Sequence, residues 1–169
     1  MNNSVKIKSA SEIDLMRNAG KLLAQTFHML DAYVKPGIST MDINNKVDNF
    51  IVNELNARPA SKGQYGYQFV LNSSINEVVC HGVPNTKQLL KSTDIINLDI
   101  TLEKGGFIAD SSKMYVMPDA TPLAKKLVKV TYDAMWAGIE QVKPGARLGD
   151  IGHAIQQYAE RYSYSIVRE

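Results

Sequence analysis

From Ile95 to Leu102 the chain reads Ile95-Ile96-Asn97-Leu98-Asp99-Ile100-Thr101-Leu102, an alternation of period two that marks a half-buried strand. Ile96, Leu98, Ile100 and Leu102 share one face; Asn97, Asp99 and Thr101 share the other. Glu103-Lys104-Gly105-Gly106 reads as a turn, and Phe107 to Met117 as the returning strand of a hairpin. Asp110 lies on that second strand, eleven residues beyond Asp99. With the loop centred between Lys104 and Gly105, the two aspartates stand directly opposite, their Cβ atoms ~5 Å apart. Unit charges at that separation repel by on the order of 3 kcal/mol at an effective dielectric of about 20. A shared proton or a bound cation removes the repulsion, so the pair is read as half of a metal site. A loop centred on Gly105-Gly106 instead puts Asp99 opposite Ser112. The acids are then diagonal, and a solvated polar face explains them equally well.

The composition is that of a globular chain: 169 residues, 44% hydrophobic and 21% charged, enough for one domain with a sizeable core. Nineteen basic against 17 acidic residues leave a net charge of +2, and no local Lys/Arg block adds to it. Neither nucleic acid nor a membrane surface is expected as a partner. Cys80 is the single cysteine, which excludes an internal disulfide and suits a reducing compartment. Met1 to Ser11 is polar and lacks the apolar stretch of a signal peptide, and no run reaches transmembrane length. A cytoplasmic location is expected.

The chain also repeats itself. Ser9-Ala10-Ser11-Glu12 has capping-box spacing and opens a helix whose stripe is Met16, Ala19, Leu23, Phe27 and Leu30. Val34-Lys35-Pro36-Gly37 stops it, because proline cannot continue the hydrogen-bond ladder. A second helix starts near Thr40 and carries Ile43, Val47, Phe50, Ile51 and Leu55; a loop follows from Ala57 to Gly66, then strands at about 67–72 and 77–81. After Pro118, the stripe Leu123, Leu127, Val130, Ala134 and Ala137 ends at Val142-Lys143-Pro144-Gly145, and another helix packs Ile155, Tyr158 and Ala159. Six of the ten residues from Val34 to Ile43 recur from Val142 to Ile151 at a constant offset of 108. A helix-stop phrase used twice accounts for the Pro-Gly alone; the matching helices on both sides favour duplication. The first copy continues through its strands to Met117. The second stops where a strand is expected to start, at Tyr164-Ser165-Ile166-Val167, which leaves an open sheet edge and an exposed apolar face.

Three segments carry a resemblance. Ile75 to Pro84 (Ile-Asn-Glu-Val-Val-Cys-His-Gly-Val-Pro), Ile96 to Thr101 and Ile108 to Tyr115 (Ile-Ala-Asp-Ser-Ser-Lys-Met-Tyr) resemble the bacterial-type (type I) methionine aminopeptidases, in the same order and spacing. The likeness runs over essentially the whole chain, including the closing Val167-Arg168-Glu169. It implies an α/β (α+β) pita-bread fold of the creatinase/aminopeptidase kind, here one complete half plus the helices of the second. It implies a single domain over residues 1–169, truncated at its C-terminal end. The implied enzyme is a hydrolase that removes the initiator methionine from nascent proteins by attack of metal-activated water on the first peptide bond. Its implied cofactors are two divalent ions of open identity (cobalt, manganese, iron or zinc). N-terminal methionyl peptides are the implied partners, and the full-length family is monomeric.

Residue by residue, Asp99 and Asp110 match metal-binding aspartates of that family, Asp110 the one that bridges both ions. His81 matches a catalytic histidine that contacts substrate near the scissile amide, where an imidazole can donate to developing charge. Tyr67 matches an aromatic wall of the methionine pocket; from the residues alone a core tyrosine is an equal reading. Asn76 and Val78 match a stretch whose carbonyls can hold a monovalent cation. Cys80, on a strand and facing away from His81, is expected to be a small buried hydrophobe rather than half of a thiol dyad. There are departures: a second pocket tyrosine would align with Gln64, Tyr65 falls one position away, and Ser61 and Asn72 stand where cysteines often occur. The family's remaining ligands, one histidine and two glutamates, and a second substrate histidine would fall beyond Glu169. His28 and His153 are helix residues outside the motifs. The chain alone is therefore expected to bind metal weakly and to lack appreciable activity. A non-catalytic binding protein on a truncated version of the fold is the alternative; a shared-proton dyad of the aspartic-protease kind fits poorly, since the acids sit in dissimilar strand contexts.

Overall fold

The structure, a computed structural model, describes residues 5–168, so Met1 to Ser4 of the polar N-terminus and the closing Glu169 lie outside it. The described chain divides into two compact units, one up to Asp119 and one from Ala120 onward. In the first, α1 (Ala10–Tyr33) starts at the expected box: Ser9 N–H donates to Glu12 Oε2 at 2.7 Å, and Glu12 N–H to Ser9 Oγ at 3.3 Å. Ala19, Leu23, Phe27 and Leu30 of its stripe are buried; Met16, one turn too early, is exposed. α2 (Thr40–Asn49) is capped by Ser39 and widens into a π-helical turn over Phe50–Glu54, burying Ile43, Val47 and Ile51.

Four strands follow: β1 (Arg58–Pro59), β2 (Leu71–Ile75), β3 (Ile95–Lys104) and β4 (Phe107–Val116), all antiparallel. β3 is central, with β1 and β2 along one side and β4 along the other. Ile96, Leu98, Ile100 and Leu102 are fully buried and meet the stripes of α1 and α2 in one core, as the alternation requires. Burying each such side chain contributes roughly 1.5–3 kcal/mol. Among the described residues β4 pairs only with β3, so its other edge carries no strand.

Two expectations about this sheet need correction. The hairpin loop is two residues, not four: Gly105 (φ 62°) and Gly106 (φ 83°) both take the left-handed conformation of a type I′ turn. β3 therefore runs to Lys104, and the register is the second of the two alternatives, Asp99 opposite Ser112 and Thr101 opposite Asp110. The segment 77–81 is loop rather than strand. Asn76 adopts φ 50°, its own side chain accepts the Ile95 N–H at 3.0 Å, and Val78 N–H turns back to Ile75 O. Beyond that turn the chain passes so close to β2 that a Cβ on Gly82 would sit 2.1 Å from Ser73 O.

The second unit is a helical hairpin of α3 (Pro122–Ile139) and α4 (Leu148–Arg161). Thr121 caps α3, and Val130 and Ala134 are buried while Leu123 and Leu127, expected in the same stripe, are exposed. Gly138 lets the helices close: a Cβ there would lie 2.6 Å from Ile155 Cγ1. The repeat is structural. Gly37 (φ 88°) and Gly145 (φ 87°) make the same Lys-Pro-Gly turn. The next helices start with the same half of a capping box, Ser39 N–H to Asp42 Oδ2 at 3.2 Å and Arg147 N–H to Asp150 Oδ2 at 2.8 Å. Residues 164–167, where a strand was expected, form none. No described helix is long and apolar enough to cross a membrane.

Candidate metal centre

The face of the sheet opposite the core carries the candidate site. Asn72 of β2, Asp99 of β3 and Ser112 of β4 lie in one row, and Thr101 and Asp110 form the next cross-strand pair. Asp99 and Asp110 therefore share this face as diagonal neighbours, ~7 Å apart in place of ~5 Å, which lowers their repulsion to about 2 kcal/mol at an effective dielectric of about 20. Thr101 Oγ1 donates to Asp110 Oδ1 at 2.8 Å, and Asn72 stands directly across the ladder from Asp99. Asn97 Nδ2 donates to Ser112 Oγ at 3.2 Å beside them.

Asp99 is half-buried and Asp110 exposed. Burial first, and the charge of Asp110 second, hold the Asp99 carboxyl above the usual carboxylate range; the neighbouring Asn72 amide and His81 pull it part of the way back. The Tyr67 phenol is pushed up by burial and then by the Asp99 charge. Asp110, His81 and Tyr67 thus all lie within electrostatic reach of Asp99. Tyr67 is held in place: its hydroxyl donates to Leu71 O at 2.8 Å, and its ring meets Phe69 edge-on at 5.6 Å. His81 is exposed on its loop in a left-handed conformation, φ 57°.

Other expected residues fall elsewhere. Cys80 is exposed, not buried, because the strand meant to bury it does not form. Tyr65 projects fully into solvent from a left-handed residue, and Gln64 is exposed beside it. Asn76 and Val78 sit on the turn after β2; the Asn76 side chain is engaged by Asp94 Oδ1 at 2.9 Å. His28 and His153 are exposed on α1 and α4. Thr101 and Asn72 are the site residues that motif reading passed over, although β3's alternation and the cross-strand register were the signal for both. Among the described residues no group of three or more His, Cys, Asp or Glu side chains comes together. Two carboxylates on one face, Asp110 with a neutral hydroxyl donor and, among the described residues, neither with a cationic side chain bonded to it, fit a divalent cation in the chemistry of their donor atoms.

The model of metallopeptidase family M24 matches residues 14–169. The chain is 46% identical to the methionine aminopeptidase of Rickettsia prowazekii over 166 residues, covering 98% of this chain and 63% of that protein. Against the Escherichia coli (strain K12) methionine aminopeptidase the identity is 42%, with the same coverage. The chain thus spans about 63% of the length of the curated relatives it matches. The crystal structure of the R. prowazekii enzyme superposes with a TM-score of 0.94, covering 98% of this chain and 66% of that one. The Thermotoga maritima methionine aminopeptidase gives 0.93 at 32% identity, covering the same shares. The prolidase of Pyrococcus furiosus, at 15% identity and a TM-score of 0.79 over 94% of this chain and 45% of that one, shares the fold alone. The mixed helix-and-sheet architecture is the pita-bread fold, and the chain belongs to metallopeptidase family M24.

Proposed function

We propose that this chain supplies the Asp99–Asp110 side of a methionine aminopeptidase, a metal-dependent enzyme that removes the initiator methionine from nascent proteins. The observation that carries the reading is the common face of the two aspartates, with His81 and Tyr67 within reach of Asp99. Paired carboxylates suit hard or borderline divalent ions, cobalt, manganese, iron and zinc among them. Ions bound there supply Lewis acidity toward the scissile carbonyl and a water acidic enough to ionise near neutral pH. His81, free to approach substrate from its exposed loop, donates to the charge that develops at the first peptide bond. Tyr67 offers its ring to the methionine thioether, a contact of roughly 1 kcal/mol or less. Carbonyls of Asn76 and Val78 would hold a monovalent cation. In this reading both units belong to one domain, the protein acts as a cytoplasmic monomer, and N-terminal methionyl peptides are its substrates.

Two ligands make a weak site. Because no third His, Cys, Asp or Glu joins the pair among the described residues, the 169-residue chain should bind divalent metal weakly and show no appreciable peptidase activity. A binding protein on the same fold is the second reading. A chimera discriminates: this chain joined to the remaining portion of the R. prowazekii relative should release methionine from Met-Ala-Ser in the presence of manganese, and Asp110→Asn should abolish the release. A folded chimera without activity favours the binding protein. Robust release by the 169-residue chain alone would contradict its inactivity.

A further inference from the structure

The loop that carries His81 is tied to the sheet through the next residue. Gly82 O accepts from Ser73 N–H at 2.7 Å, and Gly82 N–H donates to Ser74 Oγ at 3.1 Å. Both serines lie on β2, whose Asn72 stands directly across from Asp99, so the two bonds set the loop beside the candidate centre. From Asn76 to His81 the chain is exposed, and His81 is a non-glycine residue at φ 57°. We propose that Ser74 is a positioning residue: its hydroxyl pins the peptide that follows His81 and so fixes the direction from which the imidazole meets substrate. The inference rests on the reading of His81 as the histidine that donates at the first peptide bond.

A left-handed non-glycine residue persists where its surroundings over-determine it. The plane of the His81–Gly82 peptide turns with the ψ angle of His81, and the N–H of that plane is the one Ser74 accepts. Rotating His81 out of its conformation therefore breaks this bond. Three features suit Ser74 to the task. It is 4% exposed, so water does not compete for its Oγ. It sits on a strand paired to β3 at Asn97, a rigid mount for an exposed loop. The loop also approaches so closely that a Cβ on Gly82 would lie 2.1 Å from Ser73 O and 3.0 Å from Ser74 Cα, which leaves the peptide little room to slide. Ser73 supplies the contrast: its Oγ is buried too, yet bonds no described residue.

Imidazole carbon–proton correlation spectra of the 169-residue chain test the assignment, with His28 and His153, exposed on α1 and α4, as internal controls. Ser74→Ala should shift or broaden the His81 signal and leave the other two in place. Ser73→Ala, which removes an unbonded hydroxyl from the same strand, should leave all of them. Ser74→Thr keeps a hydroxyl and should restore the original His81 position. In the chimera with the R. prowazekii portion, Ser74→Ala should lower kcat roughly tenfold to a hundredfold with KM held within about twofold. If Ser74→Ala does not fold, Ser74→Cys keeps the bulk, exchanges a strong acceptor for a weak one and takes its place. An unmoved His81 signal, or an unchanged kcat, overturns this inference and leaves the enzyme reading intact. A folded but inactive chimera, or one indifferent to His81→Ala, overturns the reading of His81 and this inference with it.

Discussion

Asp110 shows how a single residue can serve a site at the expense of the fold. Its carboxylate accepts from Thr101 and, among the described residues, gains no ion pair in return, while its charge adds to the burial that holds Asp99 above the usual carboxylate range. Asn at this position would still accept the Thr101 hydroxyl, so only the charge would change. Without metal, Asp110→Asn should therefore raise stability, by a few tenths to about 1 kcal/mol given the solvent screening of an exposed group. With manganese present, the stabilisation seen in the unsubstituted chain should disappear. Thermal melts in chelator and in manganese read both effects. A variant that melts below the unsubstituted chain in chelator would refute the repulsion between the two acids, whatever happens in metal.

The elements that carry local instructions were legible in the sequence. The Ser9–Glu12 box, the Pro36 stop and the β3 alternation each name their own geometry within a few residues, and the repeat at Gly37 and Gly145 extends to the backbone angle. The register of the hairpin was not legible. It depends on both Gly105 and Gly106 taking positive φ, which glycine permits and no neighbour compels, so the sequence left two pairings open. The fate of 77–81 was hidden for a related reason: Asn76 caps Ile95, nineteen residues away, and that contact outweighs a run of β-formers. The same cross-element logic governs α1 and β4. Lys113 of β4 bonds Asp31 of α1 and, as the main cause, lowers the Asp31 carboxyl below its ordinary value of 3.8. A depressed carboxylate adds stability above the unfolded pKa and loses it as pH falls through the folded one. The side chains are 41% and 43% exposed, so screening leaves less than about 1 kcal/mol. Urea unfolding should find Asp31→Asn less stable than the unsubstituted chain at pH 7, with the gap narrowing below pH 3.8. A gap unchanged at pH 3 would mean that the ion pair contributes nothing and that the loss at pH 7 is one of packing.

At the scale of the whole molecule the two units are unequal in what they bury. The continuous core runs from Ala19 to Met117 and draws on α1, α2, β2, β3 and β4. In the second unit the buried apolar side chains are Ala120, Val130, Ala134 and Ala159, three of the four no larger than a methyl group. The repeat explains the asymmetry: both copies carry the helix, the Lys-Pro-Gly turn and the next helix, but among the described residues only the first carries strands for its helices to pack on. A two-helix hairpin of about 50 residues with so little apolar burial falls below what offsets the conformational entropy of ordering it. Residues 1–119 made alone should therefore unfold cooperatively in urea, with a midpoint close to that of the full chain. Residues 120–169 made alone should show weak helical circular dichroism that fades gradually with denaturant, since isolated helices of this length are marginal in water. Cooperative unfolding of the second piece, or failure of the first to fold, would place the stability of this chain somewhere other than in the sheet that presents Asp99 and Asp110.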